Sequence, residues 1–409
     1  MLNKLFLSFL LVGSSLTLLA QPQGCTDPLA LNYDAAAMKN DGSCVYASTI
    51  IKEDKSVVLD DTLRETSGLT LWQGSLLTHN DSDDNNLYVL DSLTGKVLTI
   101  FPINGMDPTD WESIAQDDFF FYFGDFGNNA GGNRQDLKIY RISRNAISAA
   151  NPVINTINFT YEGQTDFSGE GSNMTDFDCE AMFVKNDSLY LLTKEWVSEQ
   201  TTLYVLPKAP GTYEAKRRGS LDVQGLITGV SYQADKNYLV LSGYSDLLQP
   251  FLYLLYDFEG NAFFSGNKRK LDLLLSFSQA EGIAKGSGLN FFLSEEEVSQ
   301  PPFIDKPPQL YTFNLDPYLG LFVNGEVTTS ISSEVVKAVS IYPNPFISIV
   351  AVEVTNLTKQ EQISILDVRG NEVHRTILYP PITELQLGYL PSGTYLLRVG
   401  GLVKKIVKE

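Results

Sequence analysis

The chain has 409 residues, 43% of them hydrophobic and 19% charged, which is enough for two or three folded domains. Its net charge of −19 argues against nucleic acid and anionic lipid as partners and favours cations such as Ca²⁺. Aromatic residues are plentiful, 20 Tyr and 23 Phe against 5 Met, and such a chain suits pleated sheet.

Residues 1–20 read as a signal peptide. Lys4 supplies the positive start, Leu5 to Leu19 the apolar run and Ala20 a small residue at the cut. Gly13-Ser14-Ser15 interrupts that run, and no later stretch is suited to cross a bilayer. The expected product is therefore exported, with no transmembrane segment. Residues 21–48 form a small polar segment bracketed by Cys25 and Cys44. An oxidising compartment makes their pairing plausible, at ~3 kcal/mol for a loop of this size. Within it, Asp27, Asp34 and Asp41 can either ligate Ca²⁺ or cap turns, and the turn reading is favoured. The run from Gly24-Cys25-Thr26-Asp27-Pro28 to Asp41-Gly42-Ser43-Cys44 resembles a two-cysteine module of proteins exported by type IX secretion. The third cysteine, Cys179, reads as a buried small residue. His79 and His374 are the only histidines, and no zinc or Ser-His-Asp signature surrounds His79.

Residues 49–325 repeat. Short aromatic or alternating runs are broken by Asn, Asp, Gly and Pro, which signals many short strands. Five segments begin alike: Glu65-Thr66-Ser67-Gly68-Leu69, Glu112-Ser113-Ile114-Ala115, Glu180-Ala181-Met182-Phe183, Thr228-Gly229-Val230-Ser231 and Glu281-Gly282-Ile283-Ala284. Each is followed by a second apolar strand and then a third, often marked Leu-Tyr or Ile-Tyr. Four repeats have a fourth strand, near 97–103, 154–161, 215–221 and 268–275. Four antiparallel strands in about fifty residues make a propeller blade. The expected fold is all-β: a five-bladed β-propeller, with a sixth blade from Leu319–Val327 as the alternative. The fifth repeat lacks its fourth strand, and Lys55-Ser56-Val57-Val58-Leu59 is available to supply it and close the ring.

In such a blade the first strand lines the tunnel and starts on the side where the second strand ends. Glu65, Glu112, Glu180, Thr228 and Glu281, with Ser67 beside them, should therefore ring one tunnel mouth. His79, Asp81, Asp125, Asn128, Asn129, Lys194, Glu195, Tyr244 and Glu295 should surround it as a ligand face. Carboxylates converging on one axis need protons or a cation, and mixed Glu and Thr/Ser oxygens suit Ca²⁺. In the plainer alternative each Glu accepts backbone N–H groups of the next blade. Asp125 and the Asn128-Asn129 pair equally fit a tight turn. If the chain is a hydrolase, Glu112, Glu180 or Asp125 would activate water beside the metal.

The blade starts, with Gly124-Asp125-Phe126-Gly127-Asn128-Asn129, resemble those of a large family of secreted propellers. Their ring pattern is similar to the calcium-activated nucleotidase propeller, whose Glu and Ser/Thr residues hold a central Ca²⁺; carried over, the match falls on Ser67, Glu112, Glu180, Thr228 and Glu281. That family's basic phosphate-binding residues find no match here. Similar blade starts occur in phytase-like and lactonase-like propellers.

Residues 326–337 are polar and read as a linker. Residues 338–409 follow, with Val339-Ser340-Ile341-Tyr342-Pro343-Asn344-Pro345-Phe346, Ile363-Ser364-Ile365-Leu366-Asp367-Val368-Arg369-Gly370, Leu390-Pro391-Ser392-Gly393-Thr394-Tyr395 and the basic tail Lys404-Lys405-Ile406-Val407-Lys408-Glu409. Alternation along these runs fits a seven-stranded Ig-like sandwich, with Pro343 and Pro345 keeping the first strand short and at an edge. The succession resembles the type A sorting domain of type IX secretion. That resemblance implies the secretion machinery as a partner and a protein released outside the cell or attached to the outer-membrane surface. The expected function is a propeller that binds Ca²⁺ at the tunnel mouth and presents an unidentified ligand with a binding face. The alternatives are a Ca²⁺-dependent hydrolase of phosphate or ester bonds and a structural surface protein.

Overall fold

A computed structural model describes residues 21–82, 84–149, 151–169, 171–246, 248–275, 278–300, 304–325, 339–354, 361–367, 371–378, 382–399 and 402–409. The expected signal peptide at 1–20 and the expected linker at 326–337 lie outside the described residues. The chain divides into two units, 1–327 and 328–409.

In the first unit, five four-stranded antiparallel blades stand around an axis. Blade 1 is built from Thr66–Trp72, Ser75–Asn80, Asn86–Leu90 and Val97–Pro102. Blade 2 uses Trp111–Gln116, Phe120–Asp125, Lys138–Ser143 and Ile154–Tyr161. Blade 3 uses Asp178–Lys185, Ser188–Lys194, Gln200–Pro207 and Gly211–Asp222. Blade 4 uses Leu226–Gln233, Tyr238–Tyr244, Pro250–Tyr256 and Asn267–Leu273. Blade 5 takes three strands from the end of the unit, Ala280–Lys285, Asn290–Glu295 and Gln309–Asn314, and its fourth from the beginning, Lys55–Val58. That N-terminal strand pairs Val57 with Leu310 and Ser56 with Tyr311, so the ring is closed by hydrogen bonds between the two ends of the repeat.

Period-2 alternation decides which neighbour each side chain meets. Leu239 and Leu241 pack toward blade 3, whereas Tyr238 and Val240, on the same strand, pack toward blade 5. Phe121 and Phe123 join blade 1, and Tyr122 joins blade 3. The result is five separate hydrophobic cores, one at each blade interface. Middle strands are apolar on both faces because both faces are covered, as Tyr238–Tyr244 and Pro250–Tyr256 show.

The sixth-blade alternative does not form. Asp316–Asn324 is an α-helix with Pro317 in its first turn and Gly325 as its left-handed C-cap, φ 71°. Its Leu319 is fully buried in the core between blades 4 and 5, with Phe322 and Val323 packed against that core. Apolar residues four apart put those side chains on one helical face, a period that the strand reading overlooked.

The Cys25–Cys44 disulfide forms, and the module it closes is fastened to blade 4. Asp27 accepts hydrogen bonds from the Tyr256 hydroxyl at 2.5 Å, the Tyr46 hydroxyl at 2.7 Å and the Leu29 N–H at 2.9 Å. Asn40 donates to Asp257 and Asn267. Asp34 and Asp41 each accept an N–H two residues ahead, the turn-capping arrangement. Cys179 is free, with no exposed surface.

The second unit contains two sheets. Val339–Tyr342, Ile349–Val354 and Ile382–Gln386 form one, with Val339–Tyr342 at its edge. Glu361–Leu366, Glu372–Leu378, Gly393–Val399 and Leu402–Lys408 form the other. Phe346, Val350, Ile363, Ile365, Leu385, Leu397 and Ile406 fill the space between them. These seven strands match the expected sandwich.

Val57 packs against the core between blades 5 and 1. We expect Val57→Asp to cost ~2 kcal/mol or more, because it removes apolar contact and exposes the closing edge. Calorimetry should record a lower melting temperature for the propeller transition. An unchanged transition would mean that this strand does not hold the ring together.

Candidate functional site at the ringed tunnel mouth

All five inner strands start with the same irregularity. The ladder to the second strand slips at Ser67-Gly68, Glu112, Glu180, Thr228 and Glu281-Gly282. A β-bulge re-aims the extra side chain out of the regular alternation. Here it gives the five ring residues equivalent places, and each is nearly or wholly buried. The residue after the bulge is Gly in blades 1, 4 and 5 because neighbouring backbone lies against it. A Cβ on Gly68 would stand 2.6 Å from Ile114 N, one on Gly229 2.5 Å from Glu281 O, and one on Gly282 2.4 Å from Ser67 O.

The hydroxyl members of the ring act as ties between blades. Ser67 Oγ donates to Glu112 O at 2.8 Å and reaches Glu112 Oε2 at 3.3 Å. Thr228 Oγ1 donates to Ala280 O at 2.6 Å. The carboxylates gather around one buried ammonium. Lys194 Nζ lies 3.0 Å from Glu180 Oε1 and over the rings of Trp196 and Tyr244, 4.7 and 5.3 Å from their centroids. Burial alone would pull the Lys194 pKa down; Glu180, Tyr244, Glu281 and Asp178 outweigh it and hold the amine charged.

One ammonium does not balance this many acids. Burial, then the proximity of Glu180 and Asp110, pushes Glu112 well above the carboxylate range. Burial also raises Glu281 strongly; Lys194 opposes this, while Glu296 and Glu180 add to it. Glu296 is pushed up to about 8 by burial and Asp81, Asp81 to about 7 by burial and Glu65, and Asp110 to about 6 by burial and Glu180. Two buried carboxylate oxygens on the blade 5 and blade 1 side, Glu281 Oε2 and Asp81 Oδ1, have no hydrogen-bond partner among the described residues.

Most of the expected ligand face is inward-facing structure. His79 is fully buried, its Nδ1 2.8 Å from Asn80 O and its ring edge-on to Trp111; burial lowers its pKa to about 4. Asp125 is fully buried, 2.9 Å from Arg134 and 3.4 Å from Lys138, and accepts the Thr109 and Asp110 N–H groups. Asn128 receives the Arg134 N–H, donates its amide to Phe177 O and gives its own N–H to Asp178 at 2.6 Å. Asn129 O accepts the Asn173 N–H. Glu195 accepts from Thr193 and Ser198, and Glu295 from Lys306 and Tyr311. Tyr244 is buried beside Lys194.

Glu65 stands two positions ahead of the bulged Ser67 and accepts from Ser82 Oγ at 2.8 Å. Asp110 and Asp178 occupy the same place ahead of Glu112 and Glu180. Together they form a second acidic tier, and the repeated acid two residues before the ring was the signal for it. Asp178 is fully buried and takes the Trp196 indole N–H at 2.8 Å. Glu296 carries no such signal; only the folded ring brings it next to Asp81 and Glu281. Among the described residues no three His, Cys, Asp or Glu side chains stand in ready-made metal-ligand geometry.

Residues 340–409 match the family model "Secretion system C-terminal sorting domain". With that domain the chain is secreted to the cell surface or the extracellular space, and its C-terminal unit serves the type IX machinery. No helix among the described residues is long and apolar enough to cross a membrane. No curated protein matches the chain. Similar solved structures include the glutaminyl cyclase of Myxococcus xanthus, 11% identical with TM-score 0.39 over 65% of this chain and 97% of that one. The PQQ-bound aldose sugar dehydrogenase of Streptomyces coelicolor is 13% identical, with TM-score 0.37 over 63% and 98%. PorZ, a surface component of the type IX secretion system of Porphyromonas gingivalis, is 13% identical, with TM-score 0.31 over 84% and 45%. The nucleotidase resemblance rests on the ring residues alone.

The titration pattern has a sign. Asp110, Asp81 and Glu296 have folded pKa values above their ordinary ones, so the stability they contribute is complete below about pH 4 and is lost as pH rises through about 6 to 8. His79 works the other way: its pKa is depressed, so its contribution is complete above 6.5 and lost as pH falls toward 4. In chelator, the melting temperature should therefore peak in mildly acidic buffer and fall between pH 6 and 8.5. A profile flat across that range would remove the excess of buried acid. Lys194→Met should cost about 3–5 kcal/mol at pH 8, because it strands Glu180 without its cation; denaturant unfolding measures this.

Proposed function

We propose that the protein is an exported binding propeller whose ringed tunnel mouth takes up a hard divalent cation, Ca²⁺. The observation that carries this reading is the unpartnered Glu281 Oε2, on a side chain only 2% exposed, beside a group of acids that Lys194 alone does not neutralise. Oxygen donors of this kind suit Ca²⁺, which tolerates irregular coordination. The arc from blade 5 to blade 1 is the better candidate, with Glu281, Glu296, Asp81 and Glu65 as donors. In the arc formed by blades 2 and 3, Glu112 is tied to Ser67 and Glu180 to Lys194. A bound cation would supply the positive charge that protons supply in its absence, and the chain's own carboxylates would reorient to meet it. Binding needs no base or nucleophile. No observation at the site favours the hydrolase, since Asp125 is held in ion pairs and Glu180 by Lys194.

Melting with and without chelator tests the reading. At pH 7.5, millimolar Ca²⁺ should raise the melting temperature, and Glu281→Gln should abolish most of that rise. By mass action a cation at a hundred times its Kd adds ~2.7 kcal/mol. No shift on chelation would sink the proposal. A shift that Glu281→Gln leaves intact would move the cation elsewhere.

A further inference from the structure

The tunnel has a second mouth, at the end where the first and second strands of each blade turn into one another. A cavity of about 840 Å³ opens there, lined by side chains from all five blades. Its size is that of a small-ligand site. Its charge is opposite to that of the molecule. Four cations, Arg144, Lys185, Lys208 and Lys285, line it against two carboxylates, Asp117 and Asp118, in a chain of net charge −19. Asp117 is already engaged, since it takes Lys208 at 3.0 Å, the Phe119 and Phe120 N–H groups and the Tyr122 hydroxyl.

Among the described residues, no carboxylate pairs with Lys185. Its Nζ donates to Asn237 Oδ1 at 2.7 Å and Gly260 O at 2.5 Å and lies over the rings of Tyr232 and Phe263. Lys285 makes a cation–π contact with Tyr238, 6.0 Å from the ring centroid. Between these charges the wall carries amide and hydroxyl pairs. Gln116 donates to Thr70 Oγ1 and Leu71 O, both at 2.7 Å, and Gln233 donates to Ser231 Oγ at 2.9 Å. Gln116 Oε1 is buried without a donor among the described residues. Phe119, 71% exposed, stands at the same mouth.

We infer that this second mouth is a binding site for an anionic sugar, a uronate or sugar phosphate. Lysines meet the anion, the Gln233 and Ser231 side chains exchange hydrogen bonds with sugar hydroxyls, and an exposed aromatic ring offers a flat apolar face. This site is separate from the carboxylate ring, and its binding does not depend on Ca²⁺ there.

Calorimetric titration of the folded protein in EGTA tests the inference with three probes: trigalacturonate, glucose 6-phosphate and neutral cellotriose. Trigalacturonate or glucose 6-phosphate should bind and cellotriose should bind at least about tenfold more weakly. Lys285→Ala and Gln233→Ala should each weaken the anionic probe by about tenfold, with Lys285→Ala melting like the parent. Equal affinity for the neutral sugar, binding indifferent to both variants, or no binding of either anion would overturn it. The ring reading is tested separately by Ca²⁺-dependent melting, so the failure of one leaves the other standing.

Discussion

Ring closure is the constraint on which the rest depends. Strand Lys55–Val58 completes blade 5 by pairing with Gln309–Asn314, and so fixes five blades rather than an open stack. Once closed, the five inner strands must lie side by side around one axis. The glycines after the bulges record how little room is left, since a single Cβ on Gly68, Gly229 or Gly282 would strike the next blade's backbone. Edge protection, interblade packing and the crowding of the tunnel mouth are three results of the same closure.

Crowding explains the electrostatics. Acids that would be unremarkable on separate strands are brought within reach of one another and away from water. The burial cost of a carboxylate is then met in several ways at once: the raised proton affinity of Glu112, the Lys194 ammonium over Trp196 and Tyr244, and hydroxyl or indole donors from Ser67 and Trp196. The compensation is uneven. It is nearly complete in the arc of blades 2 and 3 and incomplete where Glu281 and Asp81 keep oxygens without partners.

The fold was largely legible in the sequence because its repeat is chemical as well as structural. Blade starts, second strands and the Leu-Tyr or Ile-Tyr third strands recur in order, and the missing fourth strand of blade 5 pointed to 55–59. The helix at Asp316–Asn324 is not legible in the sequence, because its apolar residues also allow a short strand. The parallel pairing of Ile157–Tyr161 with Gly211–Ala215, which merges the outer edges of blades 2 and 3, had no sequence signal. At the site, ring membership of Glu112, Glu180, Thr228 and Glu281 could be read from repeat position. Partnership could not: His79, Asn128 and Glu295 look like surface ligands in sequence and are buried in the fold.

By itself, the sequence determined the class of fold, the order of the blades and the sorting sandwich at the C-terminus, because each depends on residue pattern at short range. Tertiary structure alone decided which acids are neutralised, that the second mouth is lined by cations, and that the disulfide module is fastened to blade 4 through Asp27 and Tyr256. These depend on distances between residues far apart in the chain. Burial and Coulomb interaction act through those distances, and the amino-acid order does not contain them until the ring has closed.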